Sequence, residues 1–321
     1  GMRRALVDQD LQPEAALREK VGDRLQLNVG VDPAEEAVID ALDDVSVLFT
    51  TSRLPISKRV IEAADELKVI GKIGTGLDNV DLNAASELGI GVAYTPGLNA
   101  AAVAEYTVGL ALAVSRDILR NDQLLEAGGW RNEAELSTSV HGKTVGVVGF
   151  GDIGSRVAAF FSGLTTNVLA YDPYVFNEDT DITGAELTDL DDLLERSDIV
   201  TINAELTDQT EGLIGASELT RMQESAILIN TARGPVVSES ALIDALAADE
   251  IAGVGLDVFE TEPLPRDSPF HEFDNVIATP HVAATTTESR TQSIDALVKT
   301  VYKMLDGDGA PDRYTAVAFD S

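Results

Sequence analysis

The sequence predicts an α/β protein made of two doubly wound parallel-sheet domains. Three observations carry that expectation. The chain has 321 residues, long for a single domain. Apolar, strand-like runs alternate with helical patterns from end to end. At residues 144–154 a β-branched run enters a glycine-rich turn that opens a helix.

In the first part, strands are expected over residues 4–7, 25–29, 45–50, 69–73 and 91–94, with helical stretches over 57–66 and 81–88 between them. Asp81 suits an N-cap, and Gly89 falls just past the helix end. One long apolar helix is expected over residues 99–127. Its apolarity suits a core helix, or one that also packs on a second copy of the chain. A second alternation begins at Lys143, with strands over 144–148, 167–171, 199–202, 226–229, 253–258 and 276–278. Helices are expected over 153–163, 190–196, 216–222 and 239–248. Six strands with helical crossovers suit a doubly wound sheet. A last helix, about 287–305, closes the chain.

Composition narrows the function. There are 55 acidic and 23 basic residues, a net charge of −32, and the acid is spread along the chain. Such a surface suits a halophile's multimolar salt, where the screening length falls to about 3 Å or less; the alternative is an ordinary acidic protein. It makes nucleic acid and anionic membranes poor partners. Cysteine is absent, which excludes disulfides, thiolate nucleophiles and thiolate metal sites. The three histidines, His141, His271 and His281, have no metal-binding spacing, and there is no EF-hand pattern, so no metal is expected. No charge-free run of about 18 apolar residues and no leader pattern is present, so a cytoplasmic protein is expected.

The segment GKTVGVVGFGDIGSRVAAFF, residues 142–161, carries glycines with separable tasks. Gly149 permits a tight turn, Gly151 lets backbone approach a pyrophosphate, and Gly154 lets the helix pack on the strand. The helix N-terminus, with Asp152 and Ile153 in its first turn, offers N–H groups to the phosphates. Asp172 ends the next strand, 18 residues after Gly154, where a carboxylate accepts ribose hydroxyls and repels a 2′-phosphate. No arginine follows in PYVFNEDTD, so NAD is expected rather than NADP. The plainer role for Asp172 is a turn residue before Pro173.

Three later strands end in polar residues: Asn230, Thr231 and Arg233; Asp257, Glu260 and Glu262; and His281. In a doubly wound sheet those ends line one crevice. Hydride transfer to a 2-oxo acid needs such a set. A guanidinium holds the substrate carboxylate, an imidazole delivers the proton, and a carboxylate orients the imidazole. The alternatives are a surface-paired Arg233, a solvated Glu262 and a strand-capping His281.

Four motifs, GKTVGVVGFGDIGSRVA, INTARGPVVSESALIDAL, GLDVFETEPLP and NVIATPHVAATTTES, occur in that order. By these the chain resembles the D-isomer-specific 2-hydroxyacid dehydrogenases from about residue 40 to about 305. The resemblance implies a Rossmann-type NAD-binding domain, residues 98–286, inserted into a flavodoxin-like substrate domain, residues 1–97 and 287–321, with the active site in the cleft. Matched motif by motif, the family's catalytic arginine, glutamate and histidine fall on Arg233, Glu262 and His281. Its nicotinamide-carboxamide aspartate falls on Asp257. Thr75, Ala204, Thr231, Ala232 and Ala283 are further cofactor contacts implied in the same way. Glutamate at 262, in place of glutamine, separates the chain from the formate dehydrogenase branch.

The segments IGKIGTGLDNVDL and YTPGLNAAAVAEYTVGL are most similar to D-3-phosphoglycerate dehydrogenases. They imply substrate contacts at Gly74, Thr75, Gly76 and Asn99 besides Arg233 and His281, with Lys72 and Arg53 as candidate phosphate ligands. Thr51 departs from that pattern, since several relatives carry an arginine there. Asn203-Ala204-Glu205 replaces a histidine, a small residue and a proline. Pro235 replaces a second glycine and stiffens its turn. The implied reaction is NAD-dependent interconversion of 3-phosphoglycerate and 3-phosphohydroxypyruvate. The chain stops after the closing helix, so the serine-sensing domain of many such enzymes is not expected. Alternatives are a glyoxylate/hydroxypyruvate reductase, an enzyme acting on phosphite, and an NAD(H)-sensing, corepressor-like binding protein. The resemblance also implies a homodimer built on the 99–127 helix.

Overall fold

The computed structural model describes residues 2–319. These divide into two compact units, residues 2–99 with 285–319 and residues 100–284. The first unit opens with β1 (Arg3–Val7), α1 (Glu14–Val21), β2 (Leu25–Val29), α2 (Glu35–Ala41), β3 (Val47–Thr50), α3 (Lys58–Ala63), β4 (Val69–Lys72), α4 (Leu82–Glu87) and β5 (Gly91–Tyr94). Both β3 and β4 are buried at every residue, the signature of parallel strands covered on both faces. Alternate side chains feed two core layers. Leu48 and Ile70 face one, while Val47, Phe49 and Val69 face the other. Caps fix where helices begin: Ser57 accepts the Val60 amide and Asp81 the Ala84 amide.

The second unit begins with α5 (Ala100–Ser115) and α6 (Ile118–Glu126). This corrects the single helix expected over 99–127. Asp117 takes a left-handed conformation, φ 51°, which breaks the helix in two. The halves also differ in kind. α5 buries Ala104, Leu110 and Ala111, whereas α6 buries nothing. Then follow β6 (Thr144–Val148), α7 (Asp152–Gly163), β7 (Asn167–Tyr171), α8 (Asn177–Thr180), β8 (Glu186–Leu187), α9 (Leu190–Arg196), β9 (Ile199–Ile202), α10 (Ala216–Arg221), β10 (Ile227–Asn230), α11 (Glu239–Ala247), β11 (Gly253–Leu256) and β12 (Val276–Ala278). The seven strands are all parallel, in the order β12-β11-β10-β9-β6-β7-β8. Strand order reverses between β6 and β9, which opens a ligand crevice at their carboxyl ends. The sheet holds one strand more than expected, the two-residue β8 at its edge.

The chain returns to the first unit through α12 (Thr287–Asp306), and its last described strand is β13 (Thr315–Val317). The first sheet has the order β13-β5-β4-β3-β1-β2. Five strands are parallel. β13 pairs antiparallel with β5, so this sheet is not purely parallel as expected. Among the described residues, no helix is long and apolar enough to cross a membrane.

Candidate active site

The glycine turn of the second unit shows why each glycine is where it is. Gly149 has φ +88°, and a Cβ there would lie 2.6 Å from the Ala204 nitrogen. It lets the loop after β9 pass close beside the turn. A Cβ on Gly154 would lie 2.0 Å from the Gly149 oxygen, so α7 can pack on its own turn only without one. Gly151 is different. Its φ is −80°, and nothing lies within 4 Å of where its Cβ would be. No neighbour in the chain demands glycine there, and the open space lies at the N-terminus of a 12-residue helix that has no side-chain cap. A pyrophosphate fits that vacancy of protein atoms and those N–H groups.

Asp172 ends β7 beside this turn. Its Oδ2 accepts the Phe150 amide at 2.8 Å and its Oδ1 the Tyr174 amide at 2.9 Å. The carboxylate is therefore held from two sides, with one further lone pair on each oxygen for hydroxyl donors. Ala204 sits in the loop after β9 against Gly149. Asn203, next to it, has a buried Oδ1 with no hydrogen-bond partner.

Three strand ends carry Arg233, Glu262 and His281. At the end of β10, Asn230 Oδ1 accepts the Ala232 amide and its Nδ2 donates to the Arg233 carbonyl, both at 3.0 Å. The sequence places Asn230 at a strand end, but no local pattern marks this brace on the Arg233 backbone. Gly234 follows because a Cβ there would lie 2.0 Å from the Phe259 carbonyl carbon. The loop carrying Arg233 thus rests directly on the loop carrying Glu262. Glu262 Oε1 accepts the Phe259 amide at 3.0 Å, and its Oε2 lies 2.8 Å from His281 Nδ1. Burial pushes the Glu262 carboxyl up. The His281 hydrogen bond and charge, the Phe259 amide and the Arg233 charge together outweigh that and hold it below its ordinary range. An ionised Glu262 makes Nδ1 the donor, which leaves Nε2 as the imidazole's second working atom.

His281 sits at φ +53°, in the left-handed region. Asp257, fully buried at the end of β11, organises that turn. It accepts the Thr279 hydroxyl at 2.7 Å, the Val282 amide at 3.0 Å and the Ala283 amide at 2.8 Å. Thr231 is tied to α5 through Thr107, with hydroxyl oxygens 2.7 Å apart. Thr107 donates its proton to the Val103 carbonyl, so Thr231 must be the donor in that pair.

In the first unit, Lys72 is 1% exposed at the end of β4. Its Nζ lies 3.4 Å from where a Gly74 Cβ would be, beneath the Gly74–Thr75–Gly76 turn. Gly74 has φ +109° and donates its amide to Thr95. Thr75 Oγ1 donates to Asn99 Oδ1 and accepts the Gly97 amide. Arg53 is engaged rather than bare. It pairs with the fully buried Asp8 at 2.8 Å and donates to the Val31 carbonyl. Thr51 donates its hydroxyl to the same aspartate. Arg290, on α12, lies in no motif that marks it as a site residue. Its Nε is buried without a partner, and burial lowers its pKa while the charges of Asp10 and Asp8 oppose that.

Comparison with known proteins adds to this geometry. Residues 108–283 match the family described as D-isomer specific 2-hydroxyacid dehydrogenase, NAD binding domain. A D-3-phosphoglycerate dehydrogenase of Archaeoglobus fulgidus is 39% identical over 266 residues, 83% of this chain and 50% of that protein. A glyoxylate reductase of Thermofilum pendens is 40% identical over 284 residues, 87% of this chain and 84% of that protein. This chain therefore spans about half the length of the first relative and most of the second. Among solved structures, a D-lactate dehydrogenase from Aquifex aeolicus complexed with NAD and lactic acid superposes with a TM-score of 0.84. It is 29% identical, over 95% of this chain and 96% of that one.

Proposed function

Because this chain belongs to the D-isomer specific 2-hydroxyacid dehydrogenase family, we propose that it is an NAD-dependent oxidoreductase that interconverts a D-2-hydroxy acid and its 2-oxo acid. The observation that carries the reading is the Glu262–His281 pair, 2.8 Å apart, with the arginine loop resting on the loop that carries Glu262. Bound NAD supplies or takes the hydride. Arg233 holds the substrate carboxylate and polarises the reacting carbonyl. Glu262 fixes the imidazole by its Nδ1, and His281 Nε2 gives the proton to the carbonyl oxygen in reduction or takes it from the hydroxyl in oxidation. Asp172 takes the adenosine ribose and the turn at Gly149–Gly154 takes the pyrophosphate. Asp257, to which the resemblance assigns the carboxamide, is fully buried, so it reaches that group only if the turn covering it moves, and its direct role is to hold the His281 turn. The contacts of Asp152, Ile153, Ala204, Thr231, Ala232 and Ala283 belong to the same cofactor reading. Gly74, Thr75, Gly76, Lys72 and Asn99 are the substrate contacts of the first unit. Arg53, which also pairs with Asp8, is a further candidate phosphate ligand.

The preferred substrate pair is 3-phosphoglycerate and 3-phosphohydroxypyruvate, supported by likeness to the Archaeoglobus enzyme and by the lysine beneath the 74–76 turn. A second reading, glyoxylate reduction, is favoured by the Thermofilum reductase, which matches over nearly its full length. Turnover on a panel of phosphorylated and plain 2-oxo acids separates the two. Run with NADH and NADPH at low and multimolar KCl, the panel also tests the cofactor preference and the salt adaptation inferred from the net charge of −32. His281→Ala is expected to lose about a hundredfold or more in turnover while NADH binding persists. Near-wild-type turnover of that variant sinks the mechanism. Self-association is proposed through the exposed Ile118, Leu119, Leu125 and Trp130 around α6. Sedimentation of the wild type against Leu119→Glu tests it.

A further inference from the structure

The loops after β7 and β9 flank the glycine turn after β6, because β6 lies between those two strands in the sheet. Strands two positions apart are separated by about 10 Å. One hydrogen bond bridges that gap. The Tyr174 hydroxyl donates to Gln209 Oε1 at 2.8 Å. Both ends are braced. Tyr174 gives its amide to Asp172, and the Gln209 amide goes to Thr207 Oγ1, in a turn where Thr210 Oγ1 accepts the Thr207 amide.

Tyr174 is not a core residue, since it is 74% exposed. Folding alone gives no reason to place an aromatic ring there and tie its hydroxyl to a loop 35 residues further along the chain. The dinucleotide site proposed beside it gives a reason. Asp172, two residues earlier, aims its spare acceptor sites at a ribose, and a dinucleotide entering at the pyrophosphate turn must lay its adenosine between these loops.

We propose that Tyr174 and Gln209 form a strap across the adenosine half of the dinucleotide site, closing over the bound cofactor and slowing its escape. This rests on the dinucleotide reading of that site. The bond lies in water, so it opens readily and does not bar entry. Once adenosine is beneath it, the ring covers the base and the hydroxyl holds the ring in place.

The test is stopped-flow fluorescence of NADH binding to the full chain, wild type against Tyr174→Phe and Gln209→Ala. Each variant is expected to raise the NADH dissociation rate about three- to tenfold, the scale of one hydrogen bond. The double variant should do no more than either single one. Reduced nicotinamide mononucleotide, which lacks adenosine, should bind all forms equally. Wild-type binding of NADH with unchanged dissociation in both variants overturns the strap alone. Equal weakening of the mononucleotide overturns it too, since the damage would then not be confined to the adenosine end. No NADH binding by the wild type overturns the dinucleotide reading and the strap with it.

Discussion

Asp257 Oδ2 accepts the amide of Ala283 at 2.8 Å, from a carboxylate wholly shielded from solvent. With Val282 and Thr279 on Oδ1, this one side chain collects three donors of the turn that presents His281. A non-glycine residue in the left-handed region costs on the order of 1–3 kcal/mol, and bonds to a charged acceptor offset it. Asp257→Ala leaves buried amides without a partner. The expected loss is about 2–5 kcal/mol in urea unfolding, together with a fall in kcat. Wild-type stability and turnover in that variant would show that the turn holds itself.

The two carboxylates give stability opposite dependences on pH. Burial raises the Asp257 pKa despite its three hydrogen bonds. Between its ordinary value, 3.8, and the raised one, the native chain binds more protons than the unfolded chain, so its contribution falls as pH rises through that window. Glu262 is lowered. Its contribution is fully present above the ordinary value of 4.5 and is lost as pH falls through the lower folded value. Glu262→Gln should therefore flatten the acid side of the stability–pH curve below about pH 4.5. It should also cut kcat about 10- to 1,000-fold by releasing the imidazole. An unchanged acid limb, measured by denaturant titration at several pH values, would count against the pair.

Gly151 and Gly154 should fail in different ways. Gly151→Ala meets no protein atom, so the melting temperature should hold while NADH affinity drops about tenfold as the methyl enters the pyrophosphate space. Gly154→Ala collides with the Gly149 oxygen and should lose about 2–3 kcal/mol of stability or more. Calorimetric melting and NADH titration of both variants separate the two roles. If Gly151→Ala binds NADH normally, the phosphates do not lie where the open space is.

Much of this was legible in the sequence because buried parallel strands are nearly uninterrupted apolar runs. The strands over 91–94, 144–148, 167–171 and 199–202 coincide with the observed ones for that reason, while 25–29, an alternating and partly exposed strand, and 276–278, a short strand with no buried residue, coincide without it. The meeting of His281 with Glu262 follows from topology, since a parallel sheet brings all its carboxyl ends to one edge. What escaped was conformational or long-range. The break at Asp117 carries no glycine or proline, and helical periodicity does not register a single left-handed residue. β8 is two residues long, and β13 adds antiparallel to an edge without a helical crossover. The Asp8–Arg53 pair joins residues 45 apart in the chain, and the hold of Asp257 on Val282 joins residues 25 apart. Neither has a local pattern to read.

The left-handed backbone at His281 has an evolutionary side. Asparagine and aspartate are the other non-glycine residues most at ease in that region, and each is one nucleotide change from histidine. If His281 is the proton donor, drift at this position would delete it without disturbing the turn or its Asp257 scaffold. The result would be a folded chain that still binds NAD and catalyses nothing. On the proposed mechanism, a single codon would separate a chain that turns over its substrate from one that only binds the cofactor.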